Sequence, residues 1–295
     1  LNVFASHNFV YFGRHEDGTL ENEFSGNLVE VCPTGVFTDK TLKSHFTRRW
    51  DLQTAPSICA HCSVGCNTTP GERYGSLRRI RNRYNSAVNG YFLCDRGRFG
   101  YDFVNAPSRL REAVCKNGET AESLDADKAV SAAASALKNA NGVVGIGSPR
   151  ASLEANFALR ELVGKDRFCA GLPKNDRVLL TAMMEILRRG SAPAASLGEI
   201  ANCDAVLILG EDVTNAAPMI ALQVRQSVRI QPMAIAAKLR IPDWDDAAAR
   251  EAIQDEKGPL FVATPSADKL DDVATQTFRA APEDIARLGF AIANI

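Results

Sequence analysis

The stretch SICAHCSVGC at residues 57–66 places Cys59, Cys62 and Cys66 within one short segment. The 295-residue chain has only eight cysteines, so this concentration strongly restricts the folds open to it. Three kinds of site would explain it: a disulfide knot, a zinc site or an iron–sulfur cluster. Each of them needs a different fourth partner and a different redox compartment, so the remaining sequence has to distinguish them.

A fourth thiol is available at Cys94. The first three cysteines follow the pattern C-x2-C-x3-C, and 27 residues separate Cys66 from Cys94. The short gaps allow one tight loop to direct three thiolates to a common point, which a distant fourth thiolate completes. Zinc sites more often use two C-x2-C knuckles or a His pair, whereas a short run with one remote thiolate is typical of 4Fe–4S sites. The spacing therefore favours an iron–sulfur cluster and leaves zinc as an alternative.

The other cysteines are scattered, which argues against a disulfide framework and favours a reducing, cytoplasmic setting. Cys115, Cys169 and Cys203 have no neighbouring ligands, so they are predicted to be structural thiols. Cys32 precedes a proline, and a Cys-Pro pair ends the ligand runs of bacterial ferredoxins, where that cysteine serves a cluster held mostly by others. His61 lies inside the cysteine run, but four thiolates already complete a tetrahedral set, so we do not expect it to be a ligand.

The chain does not begin like a complete or a secreted protein. Its first residue is Leu1 and its earliest methionine is Met183. The opening segment also lacks the basic start and unbroken apolar run of a signal peptide. We therefore expect a piece of a longer protein. On that expectation Cys32 is the last ligand of a cluster whose other three ligands precede Leu1, rather than an ordinary buried thiol.

Composition argues against two functional classes. There are 34 basic and 35 acidic residues, so no global positive charge indicates nucleic-acid binding. No segment approaches the roughly 18 apolar residues that a membrane-spanning helix needs. The chain also has a locally basic segment, and we expect most of its arginines to lie on the solvated face of a hairpin. In the functional alternative, these cations raise the reduction potential of a cluster. The arginines of this segment are Arg78, Arg79, Arg81, Arg83, Arg96 and Arg98.

The sequence pattern changes after about residue 110. Before that point, apolar alternation predicts short strands around Tyr74, Leu77 and Ile80, and again at residues 91–93. After it, the apolar runs VVGIG, AVLILG and LFVAT predict buried parallel strands, and PMAIAA at residues 232–237 predicts another. The predicted helices lie at residues 125–140, 152–163, 176–189 and 218–228. Strands that alternate with helices predict a doubly wound α/β domain.

Several stretches together resemble the large iron–sulfur subunit family of bacterial NADH–quinone oxidoreductase, respiratory complex I. They are VYFGRHEDGTLENEFSGNLVEVCPTGVFTDKT, SICAHCSVGCN, GERYGSLRRIRNRYN, FLCDRGRFGY, GIGSPRASLEANFALRELVG and DAVLILGEDVT. The resemblance implies a small iron–sulfur domain of short strands and loops, followed by a doubly wound, molybdopterin-oxidoreductase-like α/β domain. Residues 1–54 would be the remnant of a ferredoxin-type 4Fe–4S domain. Residues 55–110 would form a 4Fe–4S domain of the molybdenum or tungsten bis-guanine-dinucleotide type, and residues 111–295 an incomplete α/β domain.

The resemblance also implies a ligand set. Cys59, Cys62, Cys66 and Cys94 would bind a 4Fe–4S cluster, and Cys32 would be the last ligand of a second 4Fe–4S cluster whose other ligands lie outside this chain. As a subunit of a translocase, the chain would carry electrons from NADH towards quinone without a catalytic residue or substrate site of its own. Its partners would be other peripheral-arm subunits on the cytoplasmic side of the bacterial inner membrane, with no nucleic acid and no membrane span.

The same resemblance leads to an alternative, because this subunit family is similar to molybdopterin enzymes such as formate dehydrogenase. Two departures argue against a molybdopterin cofactor. Those enzymes have a lysine two residues after the fourth cluster cysteine, where this chain has Arg96. Their metal-ligating cysteine or selenocysteine aligns with Pro173 in CAGLP, and proline has no donor atom for a metal. A zinc-stabilised structural module remains as a second alternative.

Overall fold

Antiparallel strands and short helices form the part of the chain up to Asn105. The computed structural model describes residues 2–13, 17–18, 20–45, 47–117, 120–191 and 193–295. The strands of this first part are β1 (Asn2–Ser6), β2 (Phe9–Gly13), β3 (Gln53–Thr54), β4 (Ser57–Ile58), β5 (Asn67–Arg73) and β6 (Ser76–Asn82). Its helices are α1 (Asn27–Val31), α2 (Lys40–Lys43), α3 (Asp95–Phe99) and α4 (Asp102–Asn105).

A four-stranded antiparallel sheet carries the cysteine-rich region. Its long strand β5 pairs with β3, β4 and β6. Tyr74 and Gly75 have φ angles of 54° and 73°, the left-handed geometry that joins two twisted antiparallel strands in a tight turn. The predicted strands on both sides of this turn are confirmed. The strand predicted at residues 91–93 is wrong, because a turn precedes this segment and the N–H of Phe92 donates to the Asn89 carbonyl at 2.8 Å.

Residues 103–195 alternate strands and helices as predicted. The elements after α4 are β7 (Ala113–Asn117), β8 (Thr120–Leu124), α5 (Ala126–Asn139), β9 (Gly145–Ile146), α6 (Leu153–Val163), β10 (Phe168–Cys169) and α7 (Lys174–Arg189). β7 and β8 form an antiparallel hairpin, and β9 and β10 pair in parallel. Helix α6 begins after Ser152, whose hydroxyl accepts the N–H of Ala155 at 3.1 Å. The predicted helices at 125–140, 152–163 and 176–189 are thereby confirmed.

A three-stranded parallel sheet organises residues 196–295, with its strands in the order β11-β12-β13. The elements are α8 (Leu197–Ala201), β11 (Val206–Leu209), α9 (Val213–Ala216), α10 (Pro218–Val228), α11 (Ile230–Lys238), α12 (Asp246–Ile253), β12 (Leu260–Thr264), β13 (Gln276–Arg279) and α13 (Pro282–Ala293). The strands predicted from AVLILG and LFVAT and the helix starting at Pro218 are confirmed. The strand predicted at 232–237 is wrong: these residues lie in α11, because Ala and Met favour helix and Pro232 falls in its first turn.

The largest hydrophobic core lies between this parallel sheet and α10. Val224 from the helix packs with Leu260 and Val262 from the central strand and with Leu270 from the loop that follows, and each of these side chains is at most 2% exposed. Burial of such a side chain stabilises the folded chain by about 1.5–3 kcal/mol. This core therefore fixes the strands and α10 as one body.

Packing divides the chain into two compact units. One unit joins Leu1–Asp102 to Ser196–Ile295, and the other is Phe103–Ala195. The boundaries predicted after residues 54 and 110 came from the sequence, whereas these two units reflect packing in space. The division into three segments therefore stays a prediction. The fold is mixed α/β, but its parallel strands lie in two small sheets, one in each unit. A single doubly wound domain therefore also stays a prediction. Within the described ranges, no helix is long and apolar enough to cross a membrane.

Candidate iron–sulfur site

Three of the predicted ligands lie on one hairpin loop. β4 pairs with the beginning of β5, with Ser57 opposite Thr68, so the loop from Cys59 to Cys66 joins two adjacent antiparallel strands. The N–H of Cys59 donates to the carbonyl of Cys66 at 2.8 Å and closes the loop. Gly65 has a φ of 66°, a conformation that residues with side chains rarely adopt, and it turns the chain back into β5.

The fourth predicted ligand, Cys94, stands at the beginning of helix α3. Its Sγ accepts the N–H of Gly97 at 3.4 Å, and its side chain is buried. The preceding Leu93 is fully buried and shares a hydrophobic cluster with Cys66. Cys59 packs against the same cluster. The apolar contacts therefore bring the helix that carries Cys94 to the hairpin loop.

Gly97 shows how closely the sulfur atoms approach. A Cβ built at Gly97 would lie 3.2 Å from the Sγ of Cys59 and 3.6 Å from the Sγ of Cys94. It would also lie 3.0 Å from Cδ1 of Leu93, so this position has little room for any side chain. Gly97 was not among the predicted site residues. The available signal was a glycine inside a helix, which is unfavourable for helix stability and so calls for a packing reason.

The electrostatics of the site disfavour separate thiolates. Burial raises the pKa of Cys59, Cys66 and Cys94. At Cys66 the neighbouring cysteine thiols are the next cause, and its pKa reaches about 12. The backbone N–H groups of His61 and Gly97 act in the opposite direction on Cys59 and Cys94. Bound iron would supply the positive charge that allows all of these thiols to lose their protons, because metal-bound cysteines are deprotonated.

The four predicted thiols are neighbours in the fold. In the described part of the chain, no group of three or more His, Cys, Asp or Glu side chains is placed so that it could hold a metal ion. A zinc ion requires its sulfur ligands at about 2.3 Å from one centre. Here Cys94, Cys59 and Cys62 are near enough to raise the pKa of Cys66. Four neighbouring thiols are the ligand set that a 4Fe–4S cluster uses.

An apolar shell packs around Cys66 and Cys59. Cys66 and Leu93 pack with Met219 from α10, and the partly buried members of the shell come from several elements. They are Phe24, Cys59, Val64, Ile80 and Leu222. Burial of this kind limits access of water and is one of the means by which a protein adjusts the reduction potential of a cluster.

Two of the six arginines are buried, whereas the other four are partly or fully exposed, in agreement with the expectation for most of the set. Arg98 is 2% exposed, and its Nη1 lies 2.6 Å from Oε2 of Glu30. Arg79 is 4% exposed, and its Nε lies 3.7 Å from Oδ2 of Asp39. An arginine can be buried when a carboxylate and further hydrogen bonds compensate its charge. These partners are distant in sequence, which is why the local pattern did not reveal them.

Cys32 lies at the end of helix α1, and its own N–H donates to the carbonyl of Leu28 at 3.1 Å. The N–H of Phe37, and next the hydroxyl of Thr34, lower the pKa of Cys32 to about 7. The thiol is partly exposed, so it is not an ordinary buried cysteine. Backbone N–H groups that point at a sulfur atom suit a thiolate ligand. The assignment of Cys32 to a second cluster nevertheless stays a prediction.

The two positions that argued against molybdopterin have ordinary structural partners. Arg96 donates from Nη1 to Oδ1 of Asn215 at 3.5 Å and from Nη2 to the Asn215 carbonyl. Pro173 immediately precedes helix α7, where a missing N–H is tolerated. Cys169, which lies in the same predicted motif, is exposed on β10. Arg96 therefore joins the start of helix α3 to the residues that follow β11.

The fold and the thiol set define a class of protein. Residues 52–106 match the family described as the molybdopterin oxidoreductase Fe4S4 domain. This range includes Cys59, Cys62, Cys66 and Cys94. Residues 1–38, which include Cys32, match the ferredoxin-like domain of NADH-quinone oxidoreductase subunit 3. Residues 52–106 are therefore similar to iron–sulfur domains of the molybdopterin-oxidoreductase type.

Relatives that match the whole chain are similar to it in more detail. The chain is 54% identical over 294 residues to the G subunit of NADH-quinone oxidoreductase from Escherichia coli (strain K12). It is 54% identical over 295 residues to the same protein of Shewanella oneidensis and 53% identical over 294 residues to that of Yersinia pestis. Over its whole length the chain is therefore similar to part of the G subunits of NADH-quinone oxidoreductase. Each alignment covers 100% of the chain and 32% of the relative, so the chain spans about a third of the length of these relatives.

Proposed function

We propose that Cys59, Cys62, Cys66 and Cys94 hold one 4Fe–4S cluster, and that the chain is an electron-transfer segment of an NADH–quinone oxidoreductase. The observation that carries this proposal is the approach of the Cys59 and Cys94 sulfur atoms to the space beside Gly97. The match of residues 52–106 to an Fe4S4 domain and the 54% identity to the G subunit of the Escherichia coli oxidoreductase support it. No residue of the chain is assigned a catalytic role.

The protein's own contribution is ligation and shielding. The closed hairpin loop presents three thiolates, and the start of helix α3 presents the fourth. The N–H groups of His61 and Gly97 stabilise negative charge on the sulfur atoms of Cys59 and Cys94. A 4Fe–4S cluster in such a site exchanges single electrons without contacting a substrate. The surrounding apolar side chains bury Cys66 and Cys94, whereas Cys59 and Cys62 stay partly exposed.

A second proposed role belongs to Cys32, as one ligand of another 4Fe–4S cluster. The match of residues 1–38 to a ferredoxin-like domain and the lowered pKa of this thiol support the assignment. The remaining ligands would come from outside this chain. The proposed partners are therefore other parts of the same subunit and neighbouring peripheral-arm subunits, which pass electrons that originate from NADH. The proposed location is peripheral, on the cytoplasmic side of the bacterial inner membrane.

The first test is the metal content of the anaerobically purified chain. Iron, sulfide, zinc and molybdenum would be quantified, followed by electron paramagnetic resonance after reduction with dithionite. We expect iron and sulfide in a ratio near one, no molybdenum, and a signal from a reduced cluster. Zinc without iron would instead make this a zinc-stabilised module. Stoichiometric molybdenum would overturn the interpretation of Pro173 and indicate a catalytic subunit.

A further inference from the structure

The residues before Cys32 are hydrogen-bonded to the residues around Cys94. The side chain of Asn27 pairs with both backbone groups of Leu93: its Nδ2 donates to the Leu93 carbonyl at 2.8 Å, and its Oδ1 accepts the Leu93 N–H at 3.1 Å. Asn27 is 7% exposed and Leu93 is fully buried. Buried backbone groups need partners, so Asn27 fixes the backbone immediately before Cys94.

Arg98 extends this contact to a carboxylate. Its Nη2 donates to Oδ1 of Asn27 at 3.0 Å, and its Nη1 lies 2.6 Å from Oε2 of Glu30. Glu30 also accepts the N–H of Asn82 from strand β6 at 3.2 Å. Arg98 belongs to the helix that begins after Cys94, and Glu30 lies two residues before Cys32. One chain of bonds therefore connects the segments that carry these two predicted ligands.

Asp95 adds a parallel connection. Its Oδ1 accepts the N–H of Gly26 at 2.7 Å, its other carboxylate oxygen accepts the hydroxyl of Ser25, and its own N–H donates to the carbonyl of Glu23 at 2.7 Å. A Cβ built at Gly26 would lie 2.6 Å from Cδ of Arg98, so the two segments approach each other without room for a methyl group. The connection is therefore closely packed as well as hydrogen-bonded.

We propose that Asn27, Arg98 and Glu30 are positioning residues that couple the four-cysteine site to the segment that carries Cys32. A cluster that fixes Cys94 fixes the start of helix α3, and through Arg98 it fixes Glu30 and the turn that follows. Outer-shell partners of metal ligands act in this way, by holding the ligand's backbone and orientation. This inference rests on the proposed function, because it requires a cluster at the four cysteines.

The test compares Arg98→Met with the parent chain and with Arg81→Met, a control on the exposed part of β6. Each chain is loaded anaerobically with iron and sulfide. Two quantities are measured: the rate at which a chelator removes iron, and the hydrogen exchange of the amides in residues 27–32 before and after loading. We expect loading to slow this exchange in the parent and in Arg81→Met but not in Arg98→Met. Iron loss from Arg98→Met should be about tenfold to a hundredfold faster.

The possible outcomes separate this inference from the proposed function. If the parent itself binds no iron and sulfide, the proposed function fails and the inference fails with it. If the parent binds a cluster but Arg98→Met keeps both the parental iron-loss rate and the loading-dependent protection, only the coupling is overturned. Should Arg98→Met not fold, Glu30→Gln removes the charge while retaining an acceptor for the Asn82 N–H. It is expected to weaken the loading-dependent protection, and parental protection in this variant would contradict the coupling.

Discussion

The two compact units differ in how much of their apolar surface is buried. In the described part of the chain, the hydrophobic core clusters all lie in the unit formed by residues 1–102 and 196–295. Helices α5, α6 and α7 of residues 103–195 contain no buried residue. On α7, Val178, Leu179 and Met183 are all more than half exposed. Helices α5, α6 and α7 are therefore specified by local sequence, whereas helices with buried residues are stabilised by tertiary packing.

We expect the largest effect from removal of a predicted cluster ligand in the more buried unit. Cys94→Ala removes one of the four predicted ligands, so we expect nearly complete loss of iron and of the reduced-cluster signal. Cys169→Ala is the control in residues 103–195, because Cys169 is exposed on β10 and has no predicted ligand role. It should retain parental iron content. Iron analysis and electron paramagnetic resonance decide the comparison, and an unchanged cluster in Cys94→Ala would contradict the ligand set.

Hydrogen exchange should show the difference between the units directly. Helix α10 buries Met219, Ala221, Val224 and Val228, whereas no residue of α7 is buried. We expect the central amides of α10 to exchange on the order of a hundredfold more slowly than those of α7, since each ~1.4 kcal/mol of opening free energy changes the exchange rate tenfold. Exchange can be measured for both helices in the same sample by mass spectrometry of peptides. Equal protection would show that α7 is covered in solution.

A smaller effect is expected where a glycine is replaced next to the thiols. Gly97→Ala improves helix propensity but places a methyl group 3.2 Å from the Sγ of Cys59. We expect contact with the thiol to dominate once iron holds it in place, so that iron affinity falls about tenfold. The control is Gly198→Ala on α8, where an added Cβ would meet nothing within 4 Å. Chelator competition would measure both variants, and equal affinities would show that the thiols can move aside.

Local structure was largely predictable because its causes are local. The helix that starts after Ser152 and the helix that starts at Pro218 both follow capping or first-turn preferences, and the parallel strands follow short apolar runs. The strand predicted at 232–237 failed because an apolar run of this length does not distinguish a strand from a helix. The helix in that region continues directly after α10.

The ligand candidates were also predictable, because short gaps and a remote fourth cysteine are visible in one sequence. The residues that support them were not. Asn27 contacts Leu93 across a separation of 66 residues, and Arg98 pairs with Glu30 across a similar distance. Nothing in the local pattern distinguishes Arg98, which is buried, from Arg81, which is exposed. Such pairs depend on how distant segments pack, and only the folded chain shows them.

Helix caps provide a finer comparison of the two units. Ser196 and Ser152 each accept an N–H in the first turn of a helix, at 3.3 Å for α8 and 3.1 Å for α6. Loss of such a cap costs about 1 kcal/mol. Because Ile200 of α8 packs on the main core, we expect Ser196→Ala to lower the main unfolding midpoint in urea. Ser152→Ala should reduce only the helicity of α6. An equal shift in both variants would indicate that the units unfold together.

The smallest expected effect is a dependence on acid pH. The N–H of Ser196, and next its hydroxyl, lower the pKa of Glu199, and the N–H of Lys128, and next its side chain, lower that of Asp125. A lowered pKa in the folded state gives stability that is present above the unfolded-state pKa and is lost as pH falls through the folded value. The stability difference between the parent and Glu199→Gln should therefore be largest near neutral pH and shrink in acid.

Asp125→Asn is the matched variant in residues 103–195, because Asp125 is also an exposed carboxylate that caps a helix. Urea midpoints measured for the parent and both variants between neutral pH and about pH 3 would separate the two contributions. We expect the main transition to respond to Glu199→Gln and not to Asp125→Asn, because α5 has no buried residue through which its loss could reach the main core. A shift of the main transition in Asp125→Asn would mean that residues 103–195 unfold cooperatively with the cluster-bearing unit. The two units would then differ in burial but not in stability.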